Sequence, residues 1–350
     1  MKAYVFADVN KAEWRDLPVP QVNPYGALVR PSVVSPCTTD IHLLQTLGIP
    51  WVKGKAIGHE MVGIVAEVGS EVRDFKCGDR VAVPACLPNW RSLEAQAKKA
   101  KLADTSLYTM DSAHLGGSFV ELYYVLDADM TLAHIPESVT WEQAVLLTDM
   151  ASTAFEGVGL LDMEYGDTIV VLGIGPVGLM GVCAAVLNGA GRVFGVGSRQ
   201  VCFDVAKEYG ATDLINYRDG DFVAKVLELN GEPVDKVLVA GGSSQSIADA
   251  LRVVRPGGIV CNVSGFFADD VTTIPNELWG YGLVDKTIKT VQTSGGRLVL
   301  ERLCSLVEYG RLRPEKLITH WFHGMERIPD AMQLFIDRDQ SLIKPIIYFH

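Results

Sequence analysis

Cys37, His59 and Asp149 carry a thiolate, an imidazole and a carboxylate, three side chains that together can hold zinc. Cys37 lies in the run Pro36-Cys37-Thr38-Thr39-Asp40-Ile41-His42. His59 lies in Gly58-His59-Glu60, which opens a G-H-E-x-x-G-x-x-x-x-x-G-x-x-V pattern ending at Val72. Three protein ligands leave a fourth position on zinc open, as in a catalytic rather than a structural site. Taken singly, each residue has an ordinary explanation. Cys37 would be a small buried hydrophobe, His59 a core histidine with satisfied nitrogens, and Asp149 a helix cap. Glu60 fits a ligand role and an electrostatic role behind the ligands equally well.

A second constellation is Gly173-Ile174-Gly175-Pro176-Val177-Gly178. It follows the apolar run Thr168–Leu172 and opens a helix expected over Val177–Leu187. Alone this spacing is a weak sign; between a strand and a helix it is a dinucleotide fingerprint. Gly173 permits the tight turn, Gly175 lets the backbone approach a pyrophosphate, and Gly178 lets helix and strand pack closely. Pro176 and Val177 begin the helix, whose free N–H groups and positive dipole end suit phosphate. The next strand, Arg192–Val196, runs into Gly197-Ser198-Arg199. An NAD site carries an acidic residue there for the ribose 2′-hydroxyl. Here glycine makes room, serine offers a hydrogen bond, and arginine offers a fork for a 2′-phosphate. Tyr217, after the following strand, is placed to stack or hydrogen-bond nearby. The expected cofactor is NADP(H); the plain alternative is a solvated loop arginine.

Two kinds of element must position these groups. The first 150 residues read as β-rich, with strands expected at Ala27–Val34, Met61–Val68, Arg80–Pro84 and Phe119–Val125. Pro88–His114 is polar and partly helical in composition, an excursion from that β core. A helical region begins near Thr140. A βαβ rhythm follows: strands at Thr168–Leu172, Arg192–Val196, Asp213–Asn216, Lys236–Val239 and Ile259–Val263, with helices between them. That alternation predicts a parallel, doubly wound sheet. A helix at Leu298–Tyr309 and a closing strand in IKPIIYF end the chain. The expected division is 1–150 with 295–350, and 151–294.

Composition sets limits. The chain has 350 residues, 48% hydrophobic and 21% charged, a globular balance with room for about two domains. A net charge of −11 without a basic block excludes nucleic acid and anionic membranes as main partners. Seven scattered cysteines with no C-x-x-C pair fit a reducing, cytoplasmic setting. The N-terminus lacks the apolar core of a signal peptide. Thr168–Leu187 is apolar enough to imitate a membrane span, but Gly173, Gly175, Pro176 and Gly178 interrupt it.

The motifs PCTTDIH, GHExxG, GDRVAVPA, DADMTLAHIP, VLGIGPVGLM, GSR, GGRL and KPIIYF run along nearly the whole chain. Together they resemble the zinc-dependent medium-chain alcohol dehydrogenases, nearest to the NADP-dependent microbial secondary-alcohol branch. The resemblance implies an α/β chain with a β-rich, GroES-like catalytic domain and a Rossmann domain. It implies Cys37, His59 and Asp149 as catalytic zinc ligands, with Glu60 as an extra carboxylate that ligates when substrate is absent. Thr39 would take the alcohol proton, His42 would relay it, and Asp40 would orient His59. The implied reaction moves a hydride between NADP(H) and a small secondary alcohol or ketone, in a homotetramer.

Some features depart from that pattern. Many relatives bear a four-cysteine lobe, whereas Ala85–His114 contains only Cys86. One zinc per subunit and no structural zinc are therefore expected. Tyr108 or Met110 is the nearest aromatic or apolar pocket candidate, and Ala85 and Trp90 are further cleft candidates. Thr290–Ser294, including Gln292, is more polar than a pocket for small apolar alcohols requires. That leaves open a diol, polyol or amino-alcohol substrate. Two further readings are a zinc-free quinone or enoyl reductase and a non-enzymatic nucleotide-binding protein. Phe266 and Phe267 are candidates for a subunit interface.

Overall fold

The structure is a computed structural model that describes residues 1–47, 53–97, 116–265, 269, 271–282 and 284–349, without the side chains of Thr46 and Leu47. Tyr108, Met110, Phe266 and Phe267 lie outside the described residues. The chain divides into two compact units, Met1–Ser152 with Thr293–His350, and Thr153–Gln292.

The first unit is built on a seven-stranded sheet. Its order is Ile318–His323, Lys344–Tyr348, Ala27–Val34, Met61–Val68, Arg80–Val83 and Ala133–His134, with Tyr123–Val125 also paired to Ala27–Val34. The strand Ala27–Val34 shares one edge between two partners. Tyr123–Val125 pairs with Ala27–Val29, and Ile347 and Tyr348 pair with Val34 and Val33. Pro31 sits between these partners, at a register shift against Met61–Val68, where its missing N–H costs no regular ladder bond. The apolar faces close a core containing Val29, Met61, Val81, Phe119 and Ile347, all at most 1% exposed.

The expected strand over Phe119–Val125 is shorter than the sequence suggested. Only Tyr123–Val125 is regular strand, and Val120 makes a single bridge to Ala3. Phe119 is wholly buried, and its backbone pairs outside any regular strand: its N–H donates to Ile57 O and its O accepts from Tyr4 N–H, both at 2.9 Å. The helical region after Thr140 is also interrupted. Trp141–Val145 is α-helical, Leu147–Ala151 forms a wider π-type turn, and Ser152–Gly159 is α-helical again. Ala151 N–H donates to Leu146 O at 3.2 Å, five residues back. Such turns insert one extra residue and are found mostly at functional sites.

The second unit is an all-parallel six-stranded sheet. Its order is Asp213–Asn216, Arg192–Gly197, Thr168–Leu172, Val234–Val239, Val254–Asn262 and Thr287–Thr290. The order reverses beside Thr168–Leu172, which places the doubly wound switch point at the end of that strand. The central strands are buried runs of Val, Ile and Leu because helices cover both faces. The sixth strand, Thr287–Thr290, was not expected. Its sequence TIKT has no apolar run, and Thr287, Ile288 and Thr290 are exposed at the sheet edge. Thr290, read as pocket lining, is the last residue of this strand and pairs with Asn262. The membrane-like stretch resolves into the strand Thr168–Leu172 and the 12-residue helix Pro176–Leu187. Among the described residues, no helix is long and apolar enough to cross a membrane.

One buried hydrogen bond ties the C-terminal strand to the turn before Cys37. Ser35 is fully buried, and its Oγ donates to Pro345 O at 2.7 Å. Ser35→Ala strands that carbonyl and should lower unfolding stability by about 1–2 kcal/mol. Urea denaturation checks this; an unchanged midpoint would mean water replaces the hydroxyl.

Candidate metal centre and cofactor site

Cys37 follows the strand Ala27–Val34 and stands before the helix Thr38–His42 as its N-cap. The cap is reciprocal. Asp40, one turn into the helix, accepts the Cys37 backbone N–H on Oδ2 at 2.8 Å. Its other oxygen, Oδ1, lies 3.1 Å from His59 Nδ1. Asp40 is entirely buried, so these partners replace water around its charge. A carboxylate on Nδ1 assigns the proton to that nitrogen and turns Nε2 into a lone-pair donor.

His59 and Glu60 lead directly into the strand Met61–Val68, which is paired on both sides. Asp149 comes from the π-type turn. The turn is held in place because Ala85 N–H donates to Thr148 O at 2.9 Å and Thr148 Oγ1 donates to Val145 O at 2.7 Å. These segments bring Cys37, His59, Glu60 and Asp149 together, with one ligand atom from each lying within 4.8 Å of the others. His59 Nε2 faces Asp149 Oδ2 at 3.3 Å and Glu60 Oε1 at 3.8 Å.

This arrangement fits a bound cation on two grounds. Donors about 2.0–2.3 Å from a tetrahedral zinc stand roughly 3.4–3.8 Å from one another, close to the spacings here. Charge gives the second ground. Asp40, Glu60 and Asp149 converge on one imidazole, Asp40 and Glu60 are wholly buried, and Glu60 Oε2 has no hydrogen-bond partner. Burial pushes the Glu60 carboxyl up to about 7, although the Lys344 ammonium pulls it down. A divalent ion relieves that crowding, and the thiolate and imidazole favour zinc over harder ions.

Thr39 Oγ1 lies 3.7 Å from Cys37 Sγ, at the edge of the same cluster. His42 is one helical turn beyond Thr39, so the two share a helix face. His42 is half-buried, and burial lowers its pKa. Trp90 packs against Gly296, whose absent Cβ would lie 2.4 Å from the indole, a packing role rather than an open one. The residue that sequence reading missed is Lys344. It stood inside the KPIIYF motif as a charge in an apolar strand, and that contradiction was the available sign.

In the other unit, Gly173 has φ +88° and closes the turn after Thr168–Leu172. A Cβ on Gly178 would lie 2.1 Å from Gly173 O, so only glycine lets the helix Pro176–Leu187 start there. Pro176 takes the first helical position, where its missing N–H is no loss. Gly197 differs from its expected role. It is buried, and a Cβ there would meet Ile174 Cγ1 at 2.5 Å. Its space is taken by the fingerprint turn and not left for a phosphate. The two residues beyond it, Ser198 and Arg199, are partly exposed. Ser198 Oγ donates to the Tyr217 hydroxyl at 3.1 Å. An Arg199 guanidinium nitrogen comes within 3.9 Å of the point where a Gly175 Cβ would stand. The Ser198 hydrogen bond, with the Arg218 and Arg199 cations, holds the Tyr217 hydroxyl below its ordinary pKa. A cation thus stands beside the glycine turn, with no acid among residues 197–199.

Residues 176–301 match the zinc-binding dehydrogenase family, and residues 23–137 match the GroES-like domain of alcohol dehydrogenases. The chain belongs to the zinc-binding dehydrogenases. It is 45% identical over 349 residues to the NADP-dependent isopropanol dehydrogenases of Thermoanaerobacter brockii and Clostridium beijerinckii, covering 99% of each chain. An alcohol dehydrogenase of Thermus sp. ATN1 is similar in structure, with a TM-score of 0.88, 28% identity and 99% coverage of both chains. Membership accounts for the GroES-like sheet and the parallel sheet as the two halves of a medium-chain dehydrogenase.

The Asp40 hydrogen bonds give a direct test of the metal centre. Asp40→Asn keeps the shape but removes the charge on His59 Nδ1. Zinc affinity should fall about 10–100-fold in a chelator competition. Unaltered affinity would separate Asp40 from the metal.

Proposed function

We propose that this dehydrogenase interconverts small secondary alcohols and ketones with NADP(H), using one zinc per subunit. The observation that carries the reading is the convergence of Cys37, buried His59 and Asp149, whose ligand atoms lie within 4.8 Å of one another. Family membership and the NADP-dependent isopropanol dehydrogenases at 45% identity support it. On this reading Met1–Ser152 with Thr293–His350 is the catalytic domain, and Thr153–Gln292 is the cofactor domain.

Bound zinc would supply Lewis acidity at the substrate oxygen. The chain's residues do the rest. Cys37, His59 and Asp149 hold the ion, and Asp40 fixes the His59 tautomer. In oxidation the Thr39 hydroxyl takes the alcohol proton, and neutral His42 passes it on. Val177 and the other free N–H groups of the helix after Gly175 receive the pyrophosphate. Ser198, Arg199 and Tyr217 receive the 2′-phosphate. The absence of a four-cysteine lobe supports a single zinc. Assembly as a cytoplasmic homotetramer is part of the proposal; the exposed edge strand Thr287–Thr290, with Trp279 and Tyr281 nearby in sequence and also exposed, supports association of copies.

A second substrate class has its own supporting observation. Thr293 is 3% exposed, and its Oγ1 is buried with no hydrogen-bond partner. The polar run Thr290–Ser294, which includes Thr293, supports a substrate bearing a second polar group, such as a diol or amino-alcohol. Comparing rates on 2-butanol and 2,3-butanediol separates the two classes.

The main test is NADPH oxidation with 2-butanone, with NADH run alongside. Fast use of NADPH and slow use of NADH is the expected result. Arg199→Ala should raise KM for NADPH about 10–100-fold and leave NADH unchanged, since a charged hydrogen bond contributes about 1.5–3 kcal/mol. Equal use of both cofactors by the unaltered protein would overturn the phosphate site. Inertness of the zinc-loaded protein toward ketones and diols would overturn the reaction.

The relay predicts a pH dependence. Alcohol oxidation needs His42 neutral, and burial lowers its pKa from the ordinary 6.5. Activity should therefore hold at neutral pH and fall only below 6.5, as the imidazole gains its proton. A kcat–pH profile of His42→Gln should lack that acid limb; persistence of the limb would assign it elsewhere.

A further inference from the structure

Arg218 lies in the short turn Tyr217–Asp219, and the proposed reaction gives it no part. The turn follows the strand Asp213–Asn216, which runs parallel to Arg192–Gly197 with Asn216 opposite Gly197. That register brings the next residue, Tyr217, to Ser198, whose Oγ donates to its hydroxyl at 3.1 Å. Asn216 then bends the chain. Its Oδ1 accepts the Arg218 backbone N–H at 3.1 Å, and its Nδ2 donates to Asp219 Oδ1 at 3.1 Å. Such an Asx turn fixes the backbone at Arg218, while the side chain stays exposed.

Two observations single out this guanidinium. The first is where it reaches. The Tyr217 hydroxyl is held below its ordinary pKa by the Ser198 hydrogen bond, then by a hydrogen bond and the charge of Arg218, and by the charge of Arg199. Arg199 stands on the glycine-turn side, and Arg218 comes from the neighbouring strand end. Two cations therefore converge on one hydroxyl. The second observation is charge balance. Arg192, Arg252 and Arg255 in the same unit pair with Asp213, Asp249 and Asp235 at 2.8, 2.9 and 2.6 Å. Among the described residues, Arg218 pairs with no carboxylate.

Chemistry narrows what would complete this arrangement. Ser198 and Arg218 occupy the lone pairs of the Tyr217 oxygen, which leaves its own O–H to donate. A phenol O–H and two guanidiniums call for an anion with several acceptor oxygens. An anion between the two cations also removes their mutual repulsion. A phosphate monoester carries about −1.5 to −2 at neutral pH, more than one arginine neutralises.

We propose that Arg218 is a second guanidinium for the cofactor's 2′-phosphate: together with Arg199 it contacts the phosphate directly and sharpens the choice of NADP(H) over NAD(H). The inference rests on the NADP(H) reading of Ser198, Arg199 and Tyr217. Its contrary is an arginine that only polarises Tyr217 or closes the turn.

The test is calorimetric binding of adenosine 2′,5′-bisphosphate and of 5′-AMP to the zinc-loaded full chain. The two ligands differ only in the 2′-phosphate. Arg218 is exposed, so Arg218→Ala leaves the core untouched. It should weaken the bisphosphate about tenfold, the low end for a charged hydrogen bond, because solvent screens the site. Binding of 5′-AMP should stay within about twofold. In the Tyr217→Phe background, Arg218→Ala should still weaken the bisphosphate at least about fivefold, since a direct contact does not pass through the hydroxyl.

Three results would overturn the proposal. One is bisphosphate binding by Arg218→Ala within about twofold of the unaltered protein. Another is equal weakening of both ligands, which marks a disturbed turn. The third is loss of the Arg218→Ala effect in the Tyr217→Phe background, which marks action through the hydroxyl alone. Equal affinity of the unaltered protein for the two ligands would instead strike the NADP(H) reading itself, and leave neither arginine a 2′-phosphate to hold.

Discussion

The structure of the first unit turns on one buried imidazole surrounded by more negative charge than it can balance. His59 is held by Asp40 on one nitrogen and faces Asp149 and Glu60 on the other. Buried carboxylates are tolerated only when hydrogen-bonded, paired or bound to a cation. Asp40 is satisfied by the Cys37 N–H and the His59 ring. Lys344 satisfies one oxygen of Glu60. What remains is an excess of charge that points inward to a single place. A divalent ion there would link metal loading to the integrity of the fold, since the same groups also close the Cys37 turn.

Bringing these groups together is the task of the sheet. Residues 37, 59 and 344 sit at or beside the ends of paired strands, and residue 149 sits in the π-type turn tied to Ala85 beyond the strand Arg80–Val83. Ala27–Val34 is the common member: it leads to Cys37, pairs with the strand that follows Glu60, and pairs with the strand that starts at Lys344. A slip of one residue in either pairing would turn a buried ligand to the opposite face. Pro31 and the register shifts beside it fix where one partner on the shared edge can end and the next begin.

Legibility of the chain followed the physics of each element. The parallel sheet was readable because strands covered on both faces must be continuous apolar runs. The glycine turn was readable because close approach excludes every other residue at Gly178. The edge strand Thr287–Thr290 escaped because exposure removes the demand for apolar residues, and pairing through backbone leaves no mark on side chains. Phe119–Leu122 misled in the opposite way, since its scattered backbone bonds to Ile57, Tyr4 and Lys2 give a strand-like sequence without a regular ladder. The π-type turn under Asp149 was invisible because its five residues read as ordinary helix. In the site, residue types with known chemistry could be named from spacing, whereas Lys344 could not. Its role depends on a partner 284 residues away, which only the sheet register supplies.

Gly197 shows how one residue type can answer two demands that sequence cannot separate. An absent acid and an absent side chain both read as space for a phosphate. In the structure that space is taken by Ile174, the second residue of the fingerprint turn. The packing of glycine against isoleucine therefore sets the height at which the strand Arg192–Gly197 ends against the turn. That height determines where Ser198 and Arg199 emerge. Tyr217, just past the neighbouring strand end, receives the Ser198 hydroxyl in a solvent-exposed hydrogen bond. On the proposed NADP(H) reading, apolar packing would be the part of residue 197, and the hydrogen bonds and charge would come from residues 198 and 199.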